Sequence, residues 1–435
     1  MEKIPPELLI EIFNHLCGSA QSLRVNRQWF QHLMPIIWKA VDDRHLSNVT
    51  RGRRQMYASA IKSLRLTYRG PRIHEKLGRL EFPRLNTLIS DQGLLDRLAN
   101  QCRQLSRIEL SRLAPGVTTE PILHLLDKCS SLERISLHGD VLSDQVIRRL
   151  AQLRKLRKLK VGHYIEHDTI DAANLESIPQ PFPSIEKLTI EGSELSLLSL
   201  GKIATLVRKT KKLDASLGYD PNPALNQHPL VPLTELRELK IRAQMTDSLS
   251  PHDFVTLTAL PQLEVLIIWA EPFHRSTPSW DDHIRYLASG LPNLKVFSLI
   301  CGAIGTTAKS LIALGECCQS LEKCKIPAME FNILDLQLLQ APLFPKLKEL
   351  TTGTFVPERG LNEVPEKHAM IFASQFPELS CIGYYDVKSD PDRCDFTASV
   401  HEAWSNNRTA EGKPPLREMN YLLDMSFDER AYLQW

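Results

Sequence analysis

The segment nearest to a ligand-binding motif is residues 302–310, with the sequence GAIGTTAKS. An apolar run precedes it and a helical pattern follows it, which is the context of a phosphate-binding loop. Two positions depart from that motif, because Ala303 stands at its first glycine and Ala308 replaces the glycine before Lys309. Strand–turn–helix order recurs throughout this chain, so the context adds little, and we do not expect nucleotide binding.

Catalytic chemistry has no basis in the sequence. A catalytic site needs a nucleophile, a base and an orienting group together, yet the chain has no G-x-S-x-G, no H-E-x-x-H and no metal-spaced Cys/His set. None of its nine cysteines falls in a CxxC pair, which is typical of reduced, buried thiols in a cytosolic or nuclear protein. We expect a protein that is not an enzyme and holds no cofactor or metal.

Binding chemistry has a clearer basis, because basic and apolar side chains recur at every second residue. Lys158 and Lys160 form one such pair, and Val265, Ile267 and Trp269 form a triplet. Residues two apart in a β-strand point to the same face of the sheet. The function of these side chains therefore depends on which strands carry them.

A recurring unit, L-x-x-L-x-L, predicts those strands, and it is clearest at residues 129–137, 182–190, 233–241, 260–268 and 291–299. Its first apolar position recurs every 20 to 32 residues, which brackets the leucine-rich-repeat period of about 20 to 29. Leu85 and Leu213 fit the pattern least well. The predicted first positions are Ile61, Leu85, Leu105, Leu132, Leu156, Ile185, Leu213, Leu236, Leu263, Leu294, Leu321, Leu347 and Leu379.

Apolar residues at i, i+3 and i+4 predict helices between the units, over residues 144–153, 195–210, 281–289, 306–317 and 366–376. Short strands alternating with helices require parallel pairing and right-handed crossovers. We therefore predict an α/β leucine-rich-repeat solenoid of about 12 to 13 irregular repeats over residues 61–386, with strands on the concave face and helices on the convex face. An ordinary doubly wound α/β domain would not explain a triplet that recurs so often.

Positions three, five and seven of each unit are predicted to face the concave surface. Basic residues at these positions are Lys158, Lys160, Lys187, Lys240 and Arg242. They favour an acidic or phosphorylated partner, but Glu109, Glu191 and Glu238 share the face, and ordinary solvation explains the cations equally well. The sequence leaves both interpretations open.

Apolar residues occupy the same face in two adjacent units, at Val265, Ile267, Trp269, Val296 and Ile300. Apolar side chains on an exposed face need a cover. One candidate is the insertion at residues 270–280, which carries Phe273 and Trp280. The other is a bound protein substrate, for which Trp is a favoured anchor.

Residues 1–41 do not follow the repeat. Pro5 and Glu7 favour a helix start, and two apolar stripes at helical spacing follow. Two short amphipathic helices cannot bury so many apolar groups alone, so the surplus must dock onto the repeats or onto another protein.

This segment resembles an F-box over residues 3–41. The family pattern, roughly L-P-x-E-L-L-x-x-I-F-x-x-L, then V-x-R-x-W and a later L-W, is matched at Ile4-Pro5-Pro6-Glu7-Leu8-Leu9, Ile12-Phe13, Leu16, Val25, Arg27, Trp29 and Ile37-Trp38. The linker after Leu16 is shorter than usual, and Asn26 replaces a frequent Cys. The cysteines that begin the units at Cys102, Cys129 and Cys318 also resemble a repeat subclass common in ubiquitin-ligase receptors.

The F-box resemblance implies binding to the adaptor that links such subunits to the cullin and RING subunits of SCF ubiquitin ligases. The implied contact and local-core residues are Pro5, Leu8, Leu9, Ile12, Phe13, Leu16, Val25, Trp29, Leu33 and Trp38. Residues 42–60 are predicted to connect the F-box to the repeats. Residues 387–435, with aromatic side chains such as Phe396 and Trp404, are predicted to dock as a capping tail.

We therefore expect a substrate-recognition subunit of an SCF-type ligase that holds a target protein on its concave face. The alternatives are an F-box protein acting with the adaptor alone, or a repeat scaffold whose helical N-terminus is only a cap. A net charge of +2 implies no general attraction to nucleic acid or anionic membrane. The chain also lacks a signal peptide and an apolar stretch of membrane-spanning length, so we expect a cytoplasmic or nuclear protein.

Overall fold

The computed structural model describes residues 5, 7–8, 10–11, 27–66, 77–90, 95–110, 118–138, 141–162, 175, 177–195, 197–217, 230–243, 257–270, 280–300, 305–327, 329–337, 339, 342–356, 364–384 and 391–420. The chain divides into two compact units, Met1–Ser193 and Glu194–Trp435. Each unit is built from short parallel strands that pair in chain order.

Seven strands begin in the described part of the first unit, and each pairs in parallel with the next. They are β1 (Ala40–Asp42), β2 (Ser63–Arg65), β3 (Thr87–Ser90), β4 (Arg107–Leu110), β5 (Arg134–His138), β6 (Lys158–Gly162) and β7 (Lys187–Leu195). The described part of the second unit has eight, paired in the same way. These are β8 (Lys212–Leu217), β9 (Glu238–Ala243), β10 (Val265–Ala270), β11 (Val296–Ile300), β12 (Lys323–Ile326), β13 (Glu349–Thr352), β14 (Cys381–Tyr384) and β15 (Arg417–Asn420).

Helices lie between the strands of both units. Those of the described chain are α1 (Arg27–Ile37), α2 (Asp43–Ser47), α3 (Arg54–Ala58), α4 (Leu95–Gln101), α5 (Glu120–Lys128), α6 (Asp144–Gln152), α7 (Leu197–Leu206), α8 (Asp281–Gly290), α9 (Ala308–Cys317), α10 (Pro365–Gln375) and α11 (Pro391–Ala410). Short 3₁₀ turns occupy Arg51–Arg53 and Ile333–Leu336. All five helices predicted from apolar spacing are present within a few residues of their predicted bounds. None of the described helices is both long and apolar enough to span a membrane.

Backbone hydrogen bonds fix the register of each strand on the one before it. The carbonyl at position two accepts two N–H groups from the next repeat, as when Glu133 and Arg134 donate to Ser106 at 2.8 and 2.9 Å. In the second unit, Glu264 and Val265 donate to Arg237 at the same two distances. Equivalent positions of successive repeats therefore stand side by side in rows.

The predicted repeat pattern is confirmed in its burial. From β2 to β13, position one and positions four and six are buried in the core; Leu263, Leu266 and Ile268 of one repeat are at most 1% exposed. The first-position N–H donates to the carbonyl three residues earlier, as in Leu263 to Leu260 at 3.0 Å. This turn buries a further apolar side chain in each repeat. Both units are therefore α/β leucine-rich-repeat solenoid, as the sequence predicts.

One predicted repeat was assigned to the wrong register. The spacing predicts Leu213 as a first position, but Leu213 pairs with Leu239, which is a position-four residue. The first position is Thr210, whose N–H makes the repeat's turn to Val207 at 2.9 Å and whose side chain is fully buried. The pattern missed it because a threonine stands where the other repeats carry leucine or isoleucine.

Paired strands extend beyond both predicted ends of the repeats at residues 61 and 386. Strand β1 pairs with β2, and the predicted connecting segment contains α2 and α3. At the other end, β15 pairs with β14 across the long helix α11. The predicted tail thus supplies one more strand and helix to the second unit, while the functional domain limits stay predictions.

Aromatic rings fill the core between α10, α11 and the last strands. Trp404 of α11 is 2% exposed, and its ring centroid lies 5.0 Å from that of Phe372 on α10. Arg408 is also buried, because its guanidinium donates to the carbonyls of Leu379 at 2.7 Å and Pro414 at 3.0 Å. Helix α11 is thereby held against the turn of the preceding repeat.

We expect Trp404→Ala to lower the free energy of unfolding by about 3 to 5 kcal/mol, because it leaves a cavity in a packed aromatic core. Urea denaturation followed by far-ultraviolet circular dichroism measures the change. Met370→Ala, on α10 but 67% exposed, is the matched control and should change stability by less than about 0.5 kcal/mol. Equal effects of the two substitutions would show that α11 is not docked.

Candidate binding surfaces

The described part of the F-box-like segment has both exposed and buried residues. Pro5 and Leu8 are exposed, and 49% of Leu8 is accessible. Leu33 is fully buried, whereas Trp29 and Trp38 are half-buried. The other predicted contact residues lie outside the described residues: Leu9, Ile12, Phe13, Leu16 and Val25.

Helix α1 is fixed to the first repeat by aromatic packing. The ring of Tyr57 in α3 lies 5.9 Å from that of Phe30 and 4.3 Å from that of Trp38, between centroids. Trp38 stands two residues before β1, at the first position of that repeat. Phe30, Leu33 and Trp38 therefore serve packing within the chain, while Leu8 is exposed.

The predicted apolar strip of the second unit is Val265, Ile267, Trp269, Val296 and Ile300. Its residues stand on β10 and β11 in register, Val265 beside Val296 and Trp269 beside Ile300. Four of the five are half-buried, but Ile267 is 1% exposed. Ile267 therefore offers no accessible surface, and the accessible part of the strip lies at its ends.

The predicted cover of this strip is only partly described. Phe273 lies outside the described residues. Trp280 is buried at the start of α8, with its ring centroid 6.2 Å from that of His283. The indole Nε1 of Trp269 is buried and has no acceptor among the described residues. The cover by the insertion and the substrate site both stay predictions.

A charged network borders the strip on β8 and β9. Arg242, the neighbour of Trp269 in register, places its Cζ 5.5 Å from the Trp269 ring centroid and donates to Asp214 at 3.1 Å. This geometry combines a cation–π contact with an ion pair. Arg242 is thus engaged on two sides by its own chain.

Lys240 is engaged in the same way. Its Nζ lies 3.2 Å from Glu238, which also accepts from Lys212 at 2.5 Å. Burial alone would raise the pKa of Glu238, but the hydrogen bonds and charges of the two lysines outweigh it and hold the pKa below its ordinary value. Both predicted cations of the second unit are therefore paired within the unit.

The predicted cations of the first unit differ from each other. Lys160 pairs with Glu191 at 2.6 Å. Lys158 and Lys187 stand in register at position three of β6 and β7. Sequence reasoning missed Arg107 and Arg134 at position three of β4 and β5, although the anchors Leu105 and Leu132 already predicted their place. The structure therefore brings four position-three cations together on adjacent strands.

The region resembling a phosphate loop is occupied by a carboxylate of the chain. Asp281, the first residue of α8, accepts from the N–H and hydroxyl of Thr307 at 2.9 and 2.7 Å and from the hydroxyl of Ser310 at 2.6 Å. Thr307 caps α9, so the carboxylate lies at the start of two helices, where negative charge is favoured. The N-terminus of α9 is therefore already satisfied by Asp281.

The repeat-initiating cysteines are structural thiols. Cys129 lies 3.5 Å from the carbonyl of Cys102, and Cys318 lies 3.4 Å from that of Leu291. Burial raises the pKa of Cys102 and Cys318 to about 12 and that of Cys129 to about 11. Within the described ranges, no group of three or more His, Cys, Asp or Glu side chains has the arrangement of a metal site.

No family model and no curated protein matches this chain. Among solved structures, a TLR13–ssRNA13 complex is 17% identical with a TM-score of 0.48, covering 74% of this chain and 45% of that one. The yeast Rad7–Elc1 complex is 16% identical with a TM-score of 0.38, covering 88% of this chain and 94% of that one. An internalin from Listeria monocytogenes is 18% identical with a TM-score of 0.41, covering 78% of this chain and 92% of that one. This chain thus spans less than half of the TLR13 chain. At such values these similarities carry no argument about function.

We expect Cys102, Cys129 and Cys318 to resist alkylation by iodoacetamide in the native protein at pH 8, because only the thiolate reacts. Peptide mapping by mass spectrometry should find them modified only in urea. Folding raises the pKa values of these thiols, so their neutral form stabilises the folded protein. This contribution to the free energy of unfolding is fully present below the ordinary thiol pKa of 9.0 and is lost as the pH rises towards 12. Native labelling at the rate seen in urea would contradict their burial.

We expect Ile267→Asp to destabilise the protein far more than Trp269→Asp. The first buries an unpaired carboxylate, at a cost of several kcal/mol, whereas the second places it beside the Arg242 guanidinium. Urea midpoints measure both variants. Similar midpoints would mean that Trp269 belongs to the core as fully as Ile267 does, and would remove it from the candidate binding residues.

Proposed function

We propose that this chain is the substrate-recognition subunit of an SCF-type ubiquitin ligase. In this role the F-box-like segment binds the adaptor, and through it cullin and RING subunits, while the repeats hold a target protein. The chain would act without catalytic residues, in the cytoplasm or nucleus. The observation that carries the proposal is the exposed Leu8 in a segment that matches the F-box pattern and leads into a helix packed on the repeats.

Exposure of apolar side chains near the N-terminus supports an adaptor contact. Glu7, Leu8, Ile10 and Glu11 are helical, and Leu8 and Ile10 are 49% and 39% exposed. A large apolar side chain exposed within a segment that matches an interaction motif is a candidate for a protein contact. Leu8 belongs to the F-box start that the sequence resembles, so this is the surface we assign to the adaptor.

The packing of α1 supports the second half of the proposal. A receptor works by holding its target at a fixed distance from the ubiquitin-charged enzyme, and such positioning needs a stiff connection. Leu33 and the contacts of Phe30 and Trp38 with Tyr57 provide that stiffness, because they join α1 to the first repeat without a flexible linker.

A second candidate is a repeat scaffold for which α1 is only a cap. The same buried Leu33 and Trp38 favour it, because a repeat array needs its end covered. The two candidates differ at Leu8, since a cap has no use for an exposed apolar residue on the helix before α1.

We expect Leu8→Asp to abolish retention of the adaptor in a pull-down with purified full-length chain, because a carboxylate cannot enter an apolar contact without a partner. Met370→Asp is the matched control, since Met370 is an even more exposed apolar residue far along the sequence, and it should retain the adaptor. Both variants should keep the wild-type urea midpoint. Absence of adaptor binding by the folded wild type would favour the scaffold instead.

A further inference from the structure

Four successive strands of the first unit carry a cation at position three. These residues, here called the basic row, are Arg107, Arg134, Lys158 and Lys187. They are neighbours in register, Arg107 beside Arg134, Arg134 beside Lys158, and Lys158 beside Lys187. The first three are exposed and the fourth is half-buried.

The acids on the same face are already engaged. Glu109 lies 3.5 Å from Arg107, and Glu191 lies 2.6 Å from Lys160, which stands at position five of β6, two residues beyond Lys158. Among the described residues no acid forms an ion pair with Arg134, Lys158 or Lys187. Glu133 and Glu186 immediately precede two of these strands, at position two, and both are exposed.

In the second unit, two of the position-three lysines have an acid beside them. At position three, Lys212 has Glu238 as its neighbour in register, and Lys323 has Glu349, with ion pairs of 2.5 and 2.7 Å. Two position-three lysines of that unit therefore each have an acid beside them, and Val265 and Val296 separate the two pairs. The two units share one backbone arrangement, so the difference lies in the side chains that the sequence places there.

A row of like charges works against folding. Adjacent strands are about 4.8 Å apart, and like charges directly opposite each other destabilise a sheet. Salt weakens this repulsion, but the spacing is well inside the screening length of about 8 Å at physiological ionic strength. An anionic partner would relieve the repulsion, and its binding energy would include that relief.

We propose that the basic row is the docking site for an extended, carboxylate-rich segment of a target protein. Three strand spacings make about 14 Å, which an extended chain covers in four or five residues at about 3.3 to 3.6 Å each. The inference rests on the proposed function only in calling the partner a target protein. It adds the chemistry by which the repeats would select that target.

A nucleic acid fits this surface less well than an acidic peptide does. Single-stranded nucleic acid is held by aromatic side chains that stack on its bases, and positions three, five and seven of β4 to β7 carry no Phe, Tyr or Trp within the described residues. The chain as a whole has a net charge of only +2. Glu109 and Glu191 would also face a wide polyanion, whereas a single extended peptide can follow the basic row past them.

Fluorescence anisotropy with labelled octaglutamate and the full-length chain tests the proposal. The test variant is Lys158→Glu, which places an acid between Arg134 and Lys187, as Glu238 and Glu349 stand beside lysines in the second unit. The matched control is Lys323→Glu, which reverses a position-three cation that already has Glu349 beside it. Thermal unfolding is measured for both variants, and a uridine octanucleotide of equal length is the competing probe.

We expect Lys158→Glu to weaken octaglutamate binding by about fivefold or more and to raise the unfolding midpoint, because it removes two repulsive neighbours. Lys323→Glu should leave binding unchanged and lower the midpoint, because it sets two acids side by side. This opposition of stability and affinity would not arise if the basic row were only a solvated surface.

Three results would overturn the proposal. The first is no octaglutamate binding by the wild type at low salt, and the second is binding that Lys158→Glu leaves unchanged. The third is tighter binding of the uridine octanucleotide that the same variant weakens, which would assign the basic row to nucleic acid. The anisotropy measurement contains no adaptor, so a negative result would not affect the proposed function. The adaptor pull-down tests that function independently.

Discussion

The position-two carbonyl, which accepts two N–H groups from the next repeat, is the interaction on which the rest of the structure depends. A strand of three to six residues, such as β2 or β10, has no independent stability. Because the N–H groups at positions two and three both return to one carbonyl, each strand can bind the previous one in only one register. The hydrophobic core forms only in that register, because a slip by one residue would turn every strand leucine to the solvent-facing side of the sheet.

Register also turns scattered residues into rows. Lysines and arginines separated by more than twenty residues in the sequence become neighbours on adjacent strands. Charged side chains of one repeat therefore interact electrostatically with those of the next. In the second unit Glu238 and Glu349 break such a row into ion pairs, and Arg242 is held between Asp214 and Trp269. Among the described residues of the first unit, no acid forms an ion pair with Arg134, Lys158 or Lys187. Two stretches of the same fold therefore differ in electrostatics without differing in backbone.

The fold could be predicted because leucine spacing reports directly on burial. Prediction failed where another residue fills the same space, as Thr210 does at a first position, or where the repeat signature is weak, as at β1 and β15. The site was harder to predict, because alternation gives the direction of a side chain but not its surroundings. Ile267 is predicted on a face that needs a cover and is buried, and Lys240 and Arg242, predicted at concave positions, are paired within the chain. Arg107 and Arg134 were within reach of the same reasoning, since their anchors were identified.

A repeat fold separates the residues that stabilise it from those that are free to bind. Positions one, four and six, together with the turn before them, form the core, and buried polar links such as Asp281 with Thr307 and Ser310 lie outside the strands. Positions three and five contribute little to that core where they are exposed, so substitutions there change charge at small cost in stability. An unfavourable arrangement such as the basic row can persist under these conditions, because the core tolerates it. The second unit shows that acids can stand beside lysines at the same position of this fold. The basic row of the first unit is therefore better explained by binding than by folding.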